Sequence, residues 1–353
     1  MFQEHWEGQL TSSSDKGRIA PHVNSLVKLL QSHLSHHRFP EATPILETLA
    51  LATDRVPGIV WRGGREVLLH SGDYSHALQL YRSFFKVQQW RIETLLETSF
   101  FTASHGHLDE AYDCLSSQLQ VNPFRSHPLC HGYCGLYQFL LHRQHQTSTT
   151  TRIKTELRGI HPIAVTAQEE AAEDSTPHIT LALKHLQTVQ TIDAQLPDGT
   201  GNLDLFVKLL AELLEEQGKI EEALACLVRY CHGHPLRLNP TRFVCDFLRE
   251  HHPDNTEARL RYLGDLVKLD ESCPEVLEFL ELSIDKDSPD LPRLFPILLR
   301  FLDYPHNATE TDGWTLLDTL QRLWPQYVQC TEWKSRQNWW PRIYPQTSNR
   351  EPN

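Results

Sequence analysis

Three stretches decide the fold: SGDYSHALQLYRSF (71–84), HGHLDEAYDCLSSQ (105–118) and QGKIEEALACLVRY (217–230). They align on Gly72, Gly106 and Gly218, and the first two glycines lie 34 residues apart, the tetratricopeptide period. Alanine follows five residues later in each case, as Ala77, Ala111 and Ala223. Proline follows the second and third glycines by seventeen residues, as Pro123 and Pro235; the first repeat has Gln89 there. Each residue type has a physical reason. A glycine takes positive φ cheaply in the tight turn between two antiparallel helices. A small alanine suits the closest crossing of the pair, and Tyr74, Leu108 and Ile220 fill the wedge after the turn. Proline stops the second helix, because it has no N–H and clashes with the preceding turn. Trp61, eleven residues before Gly72, fits the large residue early in a first helix, whereas Thr98 and Thr102 stand where larger apolar residues are usual. The expected fold is all-α, a tetratricopeptide-like helical-hairpin repeat solenoid whose units bury their faces only by stacking.

Composition agrees with a helical scaffold. The 353 residues carry 33 Lys+Arg against 45 Asp+Glu, a net charge of −12, which disfavours autonomous binding to nucleic-acid phosphates. No G-x-G-x-x-G, P-loop, H-E-x-x-H or G-x-S-x-G is present, so the usual nucleotide, zinc-protease and hydrolase readings have no anchor. No apolar run is long enough to span a bilayer, and residues 1–18 lack a signal-peptide core. Eight cysteines without repeated spacing read as reduced thiols. The expected organisation is a loose tail (1–20), N-terminal helical repeats (21–142), a polar linker with short helices (143–178), a second repeat segment (179–302), and a C-terminal helix with a Trp-rich segment (303–353).

A repeat scaffold works by binding, and its concave face comes from the first helices. The positions there include Arg62, Glu66, Leu96, Phe100, Lys208 and Glu212. This mixture does not make the basic clamp that holds a C-terminal carboxylate; it suits an apolar helix or protein surface. Arg62, Leu96 and Phe100 are the candidate contacts on that face. At the other end Trp333, Arg336, Trp339 and Trp340, with Arg342 and Tyr344 nearby, concentrate aromatic surface. Such a cluster either caps the repeat or anchors a partner, and both roles can coexist.

Several stretches together resemble the A-subunit family of the TATA-binding-protein-associated factors of RNA polymerase I. They are EWKSRQNWWP (332–341), VPGIVWRGGREVLL (56–69), and a third piece running from Phe206–Lys208 through the Gly218 hairpin to Asn239-Pro240 and Asp246-Phe247-Leu248. The resemblance covers roughly 56–344. It implies a non-catalytic subunit of the promoter selectivity factor, located in the nucleus and nucleolus. Its implied partners are the TATA-binding protein, the other RNA polymerase I associated factors and the polymerase I initiation machinery, with promoter DNA reached only through the complex and no membrane partner. The family's basic segment beyond the Trp-Trp-Pro signature has only Arg342 and Arg350 to match it here, so a contact made by such a tail is not expected. The competing reading is a tetratricopeptide adaptor outside transcription, a co-chaperone or trafficking factor.

Metal chemistry has weaker candidates. His127, Cys130, His131 and Cys134 would share one helix face, and Cys226, Cys231, His232 and His234 form a similar group. Structural zinc usually draws ligand pairs from separate elements, so buried packing cysteines are the expectation, with no cofactor and no metal. A metal-dependent enzyme built on His127–Cys134 is the third reading. The run Glu169, Glu170, Glu173 and Asp174 reads as solvated charge, and the sequon at Asn307 as accidental.

Overall fold

The computed structural model describes residues 21–50, 57–72, 75–80, 92–157, 164–195, 203–285, 288–337 and 339–340, by backbone alone at 57, 148–157 and 164–176. Residues 1–20, Tyr74, Gln89, Arg342, Tyr344, Arg350 and the side chains of Glu169, Glu170, Glu173 and Asp174 lie outside the described set. All regular structure among the described residues is helical. The chain divides into two compact units, Met1–Ser126 and His127–Asn353.

The first unit contains α1 (Pro21–Ser35), α2 (Phe39–Ala50), α3 (Pro57–Ser71), a helical piece at 75–80, α4 (Ile92–Ser104) and α5 (Leu108–Ser116). Gly72 and Gly106 take φ of 72° and 88°, the left-handed conformation their turns require. The hydrogen bonds from the Gly106 and His107 amides to the Ala103 and Thr102 carbonyls, 3.0 and 3.2 Å, close the end of α4. Ala77 and Ala111 are fully buried, and Trp61 packs with Ala77 and Phe101. α5 stops at Ser116, well before Pro123.

An earlier hairpin carries the same design without the glycine. His37 takes φ of 55° between α1 and α2. Its amide bonds to the Leu34 carbonyl at 3.1 Å, and the Arg38 amide to the His33 carbonyl at 2.8 Å. Five residues on, Ala42 is fully buried beneath Val27, Leu30 and Leu49. The repeat therefore starts one unit earlier than its glycines announce. Left-handed backbone costs a non-glycine residue about 1 kcal/mol. His37→Gly is thus expected to stabilise the first unit by ~0.5–1 kcal/mol, read as a higher urea midpoint at unchanged slope.

The second unit opens with α6 (Pro128–Leu157) and α7 (Ala164–Asp193), which pair antiparallel. The contacts fix that direction: His131 faces His185, and Gln138 Oε1 lies 2.7 Å from His178 Nδ1. Residues 143–157 and 164–178, expected as a linker, belong to these helices, and the division between units falls at Ser126/His127. Thr, Gln and Glu cost only tenths of a kcal/mol each in a helix, so a polar run extends one readily. Two glycines bring the neighbours close. A Cβ on Gly132 would lie 2.5 Å from the Phe206 ring, and one on Gly135 would lie 2.7 Å from Leu186.

The hairpin series then continues through α8 (Asp204–Glu216), α9 (Ile220–Gly233), α10 (Leu238–His251), α11 (Thr256–Leu269), α12 (Glu275–Ile284), α13 (Leu291–Asp303), α14 (Thr311–Leu323) and the short α15 (Thr331–Arg336). Gly218 turns α8 into α9 with φ of 72°, Ala223 is fully buried, and α9 ends at Gly233, just before Pro235. Successive helices are stitched at their ends. Asp204 accepts from Tyr230 Oη at 2.8 Å and from Asn239 Nδ2 at 2.7 Å, joining α8, α9 and α10. Arg249 and Arg259 converge on Glu278, each at 2.5 Å, joining α10 and α11 to α12. The fold is all-α, a tetratricopeptide-like series of helical hairpins.

Candidate interaction surfaces

The C-terminal aromatic residues divide into an inside and an outside. α13 ends at Asp303, and that carboxylate holds both Arg336 and Trp340. Arg336 Nε donates to both its oxygens at 3.0 Å, with Nη2 adding a further bond, while Nη1 donates to the Glu332 carbonyl at 2.7 Å. Trp340 Nε1 donates to Asp303 Oδ1 at 2.8 Å. The Trp340 ring is 2 % exposed and stands edge-on to Trp314, with centroids 5.4 Å apart, and to Trp333 at 6.1 Å. Trp333 itself is half-buried against Tyr327 and Phe295. Trp339 is 37 % exposed; its ring lies edge-to-face with Trp340 at 6.2 Å, and its amide donates to the Arg336 carbonyl at 3.1 Å.

Of the four residues expected at this surface, Trp340 and Arg336 are therefore buried, Trp333 is partly covered and Trp339 faces solvent. The reason is hydrogen-bond satisfaction inside a tight space: the guanidinium and the indole N–H can leave water only because one carboxylate accepts from both. Asp303, which makes that possible, carries no motif, and only its place at a helix end beside a Trp-rich segment could have singled it out.

In the first unit Phe100 is 58 % exposed, and Leu96, one turn earlier on α4, is half-buried. The opposite side of α4 buries Leu95, Thr98, Ser99 and Thr102. The two threonines tolerate burial because each hydroxyl donates to the carbonyl four residues back, at 2.7 and 2.8 Å. Beside them an open cleft of about 450 Å³ is lined by Thr98, Thr102, Glu110, Asp113 and Cys114. Arg62 is half-buried on α3, and its neighbour Glu66 is held by Arg65 at 2.6 Å. In the second unit Lys208 and Glu212 face each other across 4.0 Å.

The two cysteine–histidine groups sit among packed helices. Cys130 and Cys134 are fully buried, and burial pushes the Cys130 thiol up to about 12. Cys226 is likewise raised to about 12 by burial and accepts a bond from Gln190 Nε2 at 2.8 Å. His234 Nε2 faces Asp193 Oδ2 at 3.0 Å instead of the nearby cysteines. Among the described residues neither cluster brings three ligand atoms together. Asn307 is buried, its amide donating to the Ser272 and Phe301 carbonyls at 2.9 and 3.2 Å, so the sequon serves the fold.

One histidine makes the second unit sensitive to acid. Burial first, then the neighbouring His131 and Lys184, lowers His185 to about 4. Unfolded histidine titrates near 6.5, so between the two values the unfolded chain binds more protons. Stability is therefore full above about pH 6.5 and falls as pH drops towards 4. Discounted for partial exposure, the loss is ~1–2 kcal/mol. Urea midpoints at pH 7 and pH 5 should show it, and His185→Gln should flatten the difference.

With this geometry in place, the chain can be set beside known proteins. The family model described as TAF RNA Polymerase I, A subunit, matches residues 32–348. A mouse protein, the A subunit of the TATA box-binding protein-associated factor of RNA polymerase I, is 24% identical over 379 aligned positions, covering 97% of this chain and 78% of that one. Similar solved structures include the C-terminal part of a TPR repeat-containing protein from Cytophaga hutchinsonii, with 10% identity and a TM-score of 0.43 over 84% of this chain and 95% of that one. Pseudomonas aeruginosa PilF has 12% identity and a TM-score of 0.40 over 75% of this chain and 97% of that one.

Proposed function

The chain belongs to the A-subunit family of the TAF proteins of RNA polymerase I, and from that membership we propose that it is a non-catalytic scaffold subunit of the polymerase I promoter selectivity factor. It binds the TATA-binding protein and other polymerase I associated factors, and so supports pre-initiation complex assembly at ribosomal RNA gene promoters. It works in the nucleus, within the nucleolus, and meets promoter DNA only through the complex. The observation that carries this reading is the family match across residues 32–348. The helical hairpins supply a physical means. Each exposes a short face, and several weak faces held at fixed spacing bind together far more tightly than any does alone.

Two exposed aromatics are the best contacts on this reading: Trp339 beside the C-terminal cap and Phe100 on α4. Leu96, Arg62 and Trp333 are half-buried and keep part of their surface open. Arg336 and Trp340 contribute by holding the ground beneath Trp339.

The test is mass spectrometry of proteins co-purifying with a tagged chain from nuclear extract at moderate salt. Recovery of the TATA-binding protein with the other polymerase I associated factors is expected. Trp339→Ala and Phe100→Ala should each lower that recovery, by about tenfold or more if the residue is a hot spot, with circular dichroism unchanged. Recovery of chaperones or trafficking proteins alone, while a family member assembles normally in parallel, would sink the proposal in favour of an adaptor outside transcription.

A further inference from the structure

A mixed ligand set gathers where α8 and α10 end. Glu215 lies in the last turn of α8, and Glu250 and His251 in the last turn of α10. One carboxylate oxygen from each glutamate and one imidazole nitrogen of His251 all fall within 4.8 Å of one another. The environment is already tuned for a cation, because the unpaired carbonyls at a helix C-terminus carry partial negative charge. Here two such ends meet, with two carboxylates added.

His251 supplies an independent observation. Its Nε2 is buried and makes no hydrogen bond. It stands 3.2 Å from Glu215 Oε1, close enough for an ion pair, yet without hydrogen-bond alignment. The adjacent His252 repeats the pattern: its buried Nε2 also lacks a hydrogen bond and sits 3.7 Å from Glu221 Oε1 on α9. Buried polar atoms normally find partners, so two orphaned imidazole nitrogens facing carboxylates call for an explanation. At His251, a cation between nitrogen and oxygen satisfies both lone pairs at once.

We propose that Glu215, Glu250 and His251 form a divalent transition-metal site, with Zn²⁺ the ion of best fit. An imidazole donor favours Zn²⁺ over Mg²⁺ or Ca²⁺, which take oxygen ligands. Zinc bonds of about 2.0–2.2 Å require the donors to close in from their present spacing. Glu250 is exposed and can swing, while His251 is held against Phe247, ring centroids 4.4 Å apart. The bound ion would clip α8 to α10, the first helices of successive hairpins, and so stiffen the repeat. The role is structural. It uses none of the residues of the cysteine clusters, and neither Trp339 nor Phe100.

The experiment uses the full chain, freed of metal by a chelator and titrated with ZnCl₂ by calorimetry. One saturable site is expected. At a zinc concentration about a hundred times Kd, the melting temperature should rise by roughly 5–10 °C. Glu250→Gln, on an exposed side chain that cannot unfold the protein, should weaken zinc about tenfold or more, and His251→Gln about a hundredfold. CoCl₂ should bind without a thiolate charge-transfer band, which separates this site from adventitious cysteine ligation. Absence of saturable binding, unchanged affinity in both variants, equal affinity for MgCl₂, or a thiolate band would each overturn the proposal.

Discussion

Trp340→Ala is expected to destabilise the second unit by ~3–5 kcal/mol, the range for deleting a buried aromatic ring. The ring is 2 % exposed and packs edge-on against both Trp314 and Trp333. Its loss opens a cavity that these two rings, pinned by their own contacts, can only partly refill. The Trp314 indole is anchored to the Ala308 carbonyl at 2.8 Å, and Trp333 is wedged against Tyr327. Chemical denaturation followed by tryptophan fluorescence measures the loss. Trp339→Ala is the internal control, because that ring is 37 % exposed and should cost under about 1 kcal/mol. Equal losses from the two neighbours would contradict the division between an inner and an outer tryptophan. They would also remove the basis for assigning partner contact to Trp339.

Asp303→Ala should be nearly as costly, at ~2–4 kcal/mol, because it leaves a charge stranded. The carboxylate accepts from Arg336 Nε and Nη2 and from Trp340 Nε1. Removing it strands a guanidinium whose side chain is only 11% exposed. Breaking one side of a buried pair costs more than the pair itself contributes, because the remaining charge has left water without a partner. Arg336→Met in the Asp303→Ala background removes that stranded charge, so it should recover part of the loss. The double-mutant cycle is the measurement, read from denaturation midpoints. Strict additivity of the two substitutions would show that Asp303 and Arg336 do not act as a pair.

The histidine-dependent acid sensitivity and the His37 turn involve smaller effects read by separate substitutions, so they do not confound these. Trp340→Ala and Asp303→Ala both act on the C-terminal cap and should therefore couple to each other. Neither should alter the urea midpoint of the first unit where that transition is resolved.

Much of the fold was written locally. Gly72, Gly106 and Gly218 mark their turns because positive φ is a single-residue preference, readable without any neighbour. Ala77, Ala111 and Ala223 mark the close crossings because a fixed offset from the turn sets where two helices approach. The resemblance of EWKSRQNWWP and its companion stretches to the polymerase I A-subunit family was equally plain from the residues, and the match over 32–348 agrees with it.

What stayed hidden depended on contacts between distant residues. His37 conceals a turn because tertiary packing around Ala42 holds a histidine where local preference asks for glycine. The polar stretch 143–178 looks like a linker because so few of its residues are apolar, yet two helices of 30 residues each run through most of it. The Trp-rich segment could announce a cap and an anchor together, but not which ring served which. That choice rests on Asp303, 37 residues before Trp340, which draws one indole N–H inward and leaves Trp339 outside. The gathering of Glu215, Glu250 and His251 is likewise a product of stacking, since it needs the ends of α8 and α10 to arrive at the same place. Turn geometry is decided within a few residues and can be read along the chain. Burial and ligand convergence are decided by which helices come to lie side by side, and only the folded structure specifies that.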